Sequence, residues 1–185
     1  MSCAYRLPIT PSPRLVPDRE LPPYAYAPGQ TPHPTRDHDG HSFANEPHTP
    51  APPDPENWRS CRDYLYGIDL FNHGFFWEAH ETWEGLWIAC GRQGTTATYL
   101  KALINLAATG FKAHLGNERG MRANAATAAR LFQSAARELG PQSQSHMGLD
   151  VRALEEYAAT QRDKPLLDNP EAPGALRFDL VLRPE

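Results

Sequence analysis

The sequence contains little cysteine and no long apolar run. Its three cysteines, Cys3, Cys61 and Cys90, are odd in number, widely spaced and without a CxxC pair. We therefore expect neither a disulfide framework nor a zinc site built from thiolates. No run of about 18 apolar residues occurs, and proline or charge interrupts residues 1–20 repeatedly. This pattern predicts neither a membrane-spanning helix nor a signal peptide, and we expect a cytoplasmic protein.

An excess of positive charge is also absent. Lysine and arginine number 18 against 22 aspartates and glutamates, which gives a formal net charge of -4 and a pI near 6.1. Nucleic acids and anionic membranes recruit proteins through surplus basic side chains. We therefore expect neither of them as a partner.

Proline is concentrated at one end of the chain. Fourteen of the 19 prolines lie within the first 55 residues, where they remove amide donors and disfavour helix. We expect three parts: a proline-rich arm over residues 1–53, a helical bundle domain over 54–162 and a C-terminal tail over 163–185. Two tyrosines, a phenylalanine and three histidines fall within residues 21–43, so we expect part of the arm to lie against the bundle.

Apolar residues of the central part recur at helical spacing and predict an all-α fold. We expect a compact bundle of about five helices, with the proline-rich arm before it and a short extended tail after it. The expected spans are 55–71, begun by Asp54 and Pro55, then 75–90, then Thr95 or Thr96 as a cap to Gly116, Asn117 to Leu139, and 150–161. The segment LRFDLVL alternates with period two and predicts the extended tail.

Opposite charges are separated along the bundle. Residues 54–91 contain seven acids and two arginines, whereas residues 92–137 contain seven bases and Glu118 as the sole acid. We expect the acidic helices to pack on the basic ones, with each exposed pair contributing less than about 1 kcal/mol. A basic docking face for a partner is the alternative.

The second helix carries ionisable residues inside an apolar segment, GFFWEAHETWEGLW. At about 100° per residue, His80 and Glu84 lie together on the shoulder of its apolar face. In the third helix, Lys101, Asn105 and Lys112 form a row beside the apolar stripe. Helices joined by a short loop usually pack antiparallel, so we expect the two rows to meet.

Two functions fit this juxtaposition. The first is a polar pocket that binds a small anionic or polar ligand, or a divalent metal, through Glu84, Lys101, Lys112 and Asn105. If this pocket is catalytic, we expect hydrolysis, with His80 or Glu81 as the general base and a lysine stabilising negative charge. The second is a non-enzymatic interaction module, in which the row only fixes helix packing and the arm contacts a protein partner or a dimer mate.

A metal site needs more ligands than one helix supplies. His80, Glu84 and Glu81 provide two or three, whereas zinc takes three or four. The arm segment PHPTRDHDGH is dense in nitrogen and oxygen ligands, and we expect His33 and His41 to complete a zinc-like site with His80 and Glu84. The alternative for this segment is a solvated loop with incidental histidines.

Three blocks of the sequence resemble the bacterial domain-of-unknown-function 309 family. Its hallmark is Phe-Asn-x-Gly running into Glu-Ala-His-Glu and a following Trp or Leu with Glu, as in FNHGFFWEAHETWEGLW here. The second block is YLKALINLAATGFKAHLGNERGM, and the third is an upstream YxPGxxPHPxxDxxGH element at residues 26–41. The matching positions include Phe71, Asn72, Gly74, Ala79, Trp83 and Trp87 in the first block, Gly116, Asn117 and Gly120 in the second, and Tyr26, His33, Asp37, Gly40 and His41 in the third.

The resemblance implies a small all-helical bundle and a cytoplasmic bacterial protein, and it implies no known activity. Among the ionisable residues, it selects the motif positions Glu78, His80, Glu81, Glu84, Lys101 and Lys112. We expect Glu78 to have a structural role near the start of the second helix, because its side chain points away from the row of His80.

Overall fold

The computed structural model describes residues 13–44, 48–163 and 178–185. These residues form five α-helices: α1 (Arg62–Asn72), α2 (Phe76–Ala89), α3 (Thr95–His114), α4 (Glu118–Leu139) and α5 (Val151–Asp163). Helices adjacent in sequence pack on one another, from α1 on α2 through to α4 on α5. The expected all-α bundle of about five helices is confirmed. None of the described helices is both long and apolar enough to span a bilayer.

The core lies along α3, whose inward stripe packs against α2 on one side and α4 on the other. Leu100, Leu103 and Leu106 of α3 are fully buried, as are Trp83 of α2 and Phe132 of α4. Truncating a buried leucine of this kind to alanine usually costs about 2 to 5 kcal/mol. The 3.6-residue periodicity of these apolar side chains is what makes the helices amphipathic, and it therefore fixes which faces meet.

The expected start of the first helix at residue 55 is wrong. Asp54 instead accepts a hydrogen bond from the backbone N–H of Glu56 at 3.0 Å, in a turn before a short 3₁₀ helix, Trp58–Ser60. Cys61 then leaves helical geometry, and α1 begins at Arg62. This turn buries Trp58 edge-to-face against Tyr64, with ring centroids 6.2 Å apart. The packing of Trp58, and not the capping signal at Asp54, therefore determines where α1 begins.

The expected threonine cap of the third helix is also wrong. The residue before α3 is Gly94, at φ 85°, and no side chain caps this end. Thr96 lies inside the helix, and its hydroxyl is 3.2 Å from Nε2 of His146. By contrast, the expected cap of α4 is confirmed, because Oδ1 of Asn117 accepts the N–H of Gly120 at 2.8 Å.

A small antiparallel hairpin joins α4 to α5 and was not expected. Its strands are β1 (Ser145–His146) and β2 (Leu149–Asp150), joined by Met147 and Gly148. Both joining residues have positive φ, 49° and 83°, as a tight two-residue hairpin turn requires. A Cβ at Gly148 would collide with Trp58. The hairpin is therefore packed against the same tryptophan that shortens α1.

The acidic residues of α1 contact the arm, not the basic helices. The carboxylate of Asp69 accepts the N–H groups of Leu15 and Val16 at 2.8 and 2.9 Å and Nε of Arg14 at 3.0 Å. Asp63 likewise binds Arg19 at 2.8 Å. The expected packing of an acidic hairpin on a basic one is therefore wrong for α1, since its carboxylates hold the chain that precedes them.

The last described segment, residues 178–185, contains no helix or strand. Asn72, the asparagine of the Phe-Asn-x-Gly element, holds it by donating to the carbonyl of Leu182 and accepting its N–H, both at 2.8 Å. Phe178 packs edge-to-face on Phe71 and Phe76. Leu176 and Arg177 of the predicted extended segment lie outside the described residues.

Candidate metal and ligand-binding site

One cluster of potential metal ligands lies on the surface of α2. Ligand atoms of His80, Glu81 and Glu84 all lie within 4.8 Å of one another. Nδ1 of His80 is 3.2 Å from a carboxylate oxygen of Glu81. Helical geometry creates this cluster, because residues four apart are neighbours on one face and the side chain between them reaches around. The three side chains are 28%, 46% and 34% exposed, so the cluster opens to solvent.

Lys101 of α3 reaches this cluster from the neighbouring helix. Its Nζ lies 3.7 Å from Oε1 of Glu84 and 4.1 Å from the centroid of the Trp87 ring. The ammonium thus faces a carboxylate while lying over an aromatic face, two contacts that favour a cation. The row on α2 and the row on α3 therefore meet at Glu84 and Lys101.

The two other residues of the α3 row make different contacts. The amide of Asn105 donates to the backbone carbonyl of Lys101 at 2.8 Å, within its own helix. Nζ of Lys112 lies 5.5 Å from the ring centroid of Phe111, near the end of α3, and its side chain packs beside Gly120. Neither of these described contacts reaches His80, Glu81 or Glu84.

The arm histidines lie elsewhere on α2. His33 packs edge-to-face on Trp77, with ring centroids 5.3 Å apart, and its Nδ1 accepts the N–H of Thr35 at 3.3 Å. Nδ1 of His41 is 2.9 Å from the hydroxyl of Ser42, and its Nε2 faces Glu78. Among the described residues, the only three side chains close enough to bind one metal ion together are those of His80, Glu81 and Glu84. His33 and His41 are not part of it.

The remaining polar residues of the arm segment do not converge either. The carboxylate of Asp37 accepts the N–H of His33 at 2.6 Å, which closes a turn. His38 and Asp39 pair with each other and are almost fully exposed. Gly40 contacts the carbonyl oxygens of His33 and Pro34 so closely that a Cβ would not fit. This part of the family-like element therefore shapes a compact turn that presents His41 to α2.

The most buried ionisable group of the site is Glu78, which was not among the expected binding residues. Its Oε1 accepts the N–H of Tyr26 at 2.9 Å and lies 3.4 Å from Nε2 of His41. Its Oε2 is buried and has no hydrogen-bond partner among the described residues. Burial raises the pKa of the Glu78 carboxyl, although its own backbone N–H, the N–H of Tyr26 and His41 act in the opposite direction.

Sequence reasoning missed this pairing for a definite reason. Helical projection correctly separates Glu78 from the row of His80, but it says nothing about what covers the other side of the helix. The available signal was the YxPGxxPHPxxDxxGH element, because Tyr26 and His41 are the arm residues that contact Glu78. The family resemblance includes one block in the arm and another in α2. This suggested that the two segments are in contact, but it did not identify which residues pair.

The comparisons with known proteins bear on the helical part of this site. The family model described as "Domain of unknown function (DUF309)" matches residues 64–124, a span that runs from α1 into α4 and includes Glu78, the His80 cluster and Lys101. No match was found among curated proteins. The resemblance to the domain-of-unknown-function 309 family is thus confirmed over residues 64–124.

Proposed function

We propose that this protein binds a divalent transition-metal ion through His80, Glu81 and Glu84. The observation that carries the proposal is the convergence of one imidazole and two carboxylates within 4.8 Å of one another. This mixed nitrogen and oxygen donor set is typical of zinc and similar ions.

The distances support an ion of this size. Zinc binds nitrogen and oxygen ligands at about 2.0 to 2.2 Å in tetrahedral geometry, so two ligand atoms of one ion lie about 3.4 Å apart. Ligand atoms of the cluster that lie 4.8 Å apart would therefore have to approach one another by roughly 1.4 Å. Rotation of exposed glutamate side chains, which is cheap on a helix surface, supplies such a change.

Three protein ligands would leave open coordination positions that face solvent. Those positions suit a small anionic or polar ligand, and Lys101, 3.7 Å from Glu84, adds positive charge beside them. A metal with an open position lowers the pKa of bound water, which supports hydrolysis.

A non-enzymatic module is the second candidate, and one specific contact favours it. The pair formed by Glu84 and Lys101 links α2 to α3 without any ion. In this alternative, the His/Glu/Lys row stabilises helix packing, and the arm contacts a protein partner or a second copy of the chain.

The free thiols Cys61 and Cys90 support placing the protein in a reducing compartment such as the cytoplasm.

The test is calorimetric titration of full-length protein, purified without an affinity tag, with Zn²⁺ and Mn²⁺. We expect one ion per chain, and we expect His80→Ala and Glu84→Gln to weaken binding at least about tenfold while circular dichroism stays unchanged. His38→Ala is the matched control, because it removes an exposed imidazole outside the cluster. Absence of uptake by the wild type, or equal affinity of His80→Ala and His38→Ala, would overturn the proposal in favour of the packing function.

A further inference from the structure

A cavity of about 370 Å³ lies between the arm and helices α1 and α2. Its wall includes Tyr66 of α1, Trp77 and Glu78 of α2, and His41 of the arm. Glu81 lines it as well, whereas His80 and Glu84 do not. Cavities that bind small molecules measure roughly 300 to 1,000 Å³, so this one has room for a small ligand. It adjoins the metal cluster, with which it shares Glu81, but its other lining residues lie outside that cluster.

Glu78 gives this cavity an unsatisfied acceptor. Its side chain is 6% exposed, Oε1 is held by Tyr26 and His41, and Oε2 has no hydrogen-bond partner among the described residues. A buried carboxylate without full partners destabilises the folded protein. Protonation does not remove this deficit, since it converts an unpaired acceptor into an unpaired donor. A ligand with an N–H group would supply the missing partner.

The charges on the cavity wall favour a cation. Glu20, Glu78 and Glu81 contribute three carboxyl groups, against the single guanidinium of Arg19. That guanidinium already binds Asp63 at 2.8 Å, so its charge is largely compensated. A negatively charged ligand would therefore meet an excess of carboxylates, whereas an ammonium group would reduce their mutual repulsion.

Part of the wall is apolar and suited to hydrocarbon. Leu21, Pro22 and Pro23 of the arm, Leu70 of α1 and the indole of Trp77 all line the cavity. Apolar surface of this kind binds an alkyl chain by excluding water from both. The cavity thus combines a buried acceptor, an acidic rim and a partly apolar wall.

We propose that this cavity binds a small alkylammonium compound, with an N–H of the ammonium donating to Glu78 and the alkyl part lying against Leu70 and the arm prolines. Oε2 is buried, so contact with it requires a small adjustment of the cavity wall. This site goes beyond the proposed metal function and requires no metal.

The first experiment compares three probes of equal chain length. Full-length protein passed over a chelating resin is titrated calorimetrically with putrescine, with the corresponding diol and with succinate, which are cationic, neutral and anionic respectively. We expect putrescine to bind at least about tenfold more tightly than the diol, as a charge-assisted hydrogen bond would give, and succinate not to bind. No putrescine binding, equal affinity for the diol, or binding of succinate would each overturn the proposal.

Variants then locate the binding. Glu78→Gln should weaken putrescine binding at least about tenfold, and Glu20→Gln, on the exposed rim, about two- to fivefold. Glu118→Gln on α4 is the matched control and should have no effect. If Glu78→Gln and Glu118→Gln bind putrescine with equal affinity, putrescine does not bind at Glu78 and the proposal is wrong. If Glu78→Gln does not fold, as judged by circular dichroism, Glu20→Gln decides the matter, because unchanged affinity in that variant would also overturn the proposal.

Discussion

Nε2 of His41 lies 3.4 Å from Oε1 of Glu78, and the two side chains are only 9% and 6% exposed. One residue belongs to the proline-rich arm and the other to α2, so this pair places an ionisable contact under the arm. The N–H of Tyr26 binds the same oxygen at 2.9 Å. The arm is therefore held at α2 through a carboxylate that it also shields from water.

Glu78 should make stability depend on pH. Burial raises the pKa of its carboxyl above the ordinary 4.5 in the folded protein, so the folded state holds this proton more tightly than the unfolded chain does. The free energy of unfolding should consequently fall as pH rises from 4.5 to the raised pKa, and stay at the lower level above it. Below 4.5 the carboxyl is protonated in both states, so the penalty for burying its charge is absent.

Thermal unfolding of the wild type and Glu78→Gln between pH 4 and pH 8 checks this expectation. The melting temperature of the wild type relative to that of the variant should decrease as pH rises. Measuring both proteins in a His41→Gln background removes the titration of the neighbouring imidazole. A difference that is constant, or that increases with pH, would contradict the raised pKa.

Asp69→Ala should release the first part of the arm. Its carboxylate is 1% exposed and accepts from Arg14 and from the backbone of Leu15 and Val16, so the substitution leaves three donors unsatisfied. Breaking a buried, hydrogen-bonded ion pair costs about 3 to 5 kcal/mol. We expect a loss of about 3 kcal/mol in urea denaturation and earlier proteolytic cleavage near residue 15. The control Asp18→Ala, which removes an exposed ion pair with Arg62, should change neither measurement appreciably.

Asn72→Ala should destabilise the protein through its tail. The substitution removes two buried hydrogen bonds and leaves the N–H and carbonyl of Leu182 without these partners, at a cost of about 2 to 4 kcal/mol. A double-mutant cycle with a chain lacking residues 178–185 identifies the cause. In the shortened chain the same substitution should cost less than about 1 kcal/mol, because the partner is gone. Additive effects would show that Asn72 acts in some other way.

Lys101→Met should strengthen metal binding. The ammonium of Lys101 lies 3.7 Å from Glu84 and competes with an ion for that carboxylate, whereas a methionine keeps the contact with Trp87. A partly exposed pair of this kind contributes up to about 1 kcal/mol, so affinity for Zn²⁺ should rise up to about fivefold. Lys112→Met is the control and should leave the affinity unchanged. Weaker binding by Lys101→Met would instead mean that the lysine orients Glu84 for the metal.

Much of the bundle follows from local sequence. Helices α2, α4 and α5 begin and end within about two residues of their expected bounds, because apolar periodicity and the cap at Asn117 act over one or two turns. The same locality explains the His80, Glu81 and Glu84 cluster, since residues one and four apart on a helix are neighbours whatever the rest of the chain does.

What could not be predicted depends on distant contacts. The burial of Trp58 against Gly148 of the hairpin accompanies the late start of α1, and nothing near Asp54 reveals that glycine. The role of Glu78 depends on the path of the arm, 37 residues earlier in the chain. Periodicity indicates which face of a helix is apolar, but it does not indicate which segment will cover the opposite face.

The order in which helices pack has a consequence for folding kinetics. Each main helix contact joins consecutive helices, so the bundle can form by closing short loops, which is fast. The arm and tail contacts instead span 55 residues, from Arg14 to Asp69, and 110 residues, from Asn72 to Leu182. These contacts should form after the transition state, so that they mainly slow unfolding and leave the folding rate almost unchanged. The arm and tail contacts would then slow the unfolding of a bundle that assembles without them.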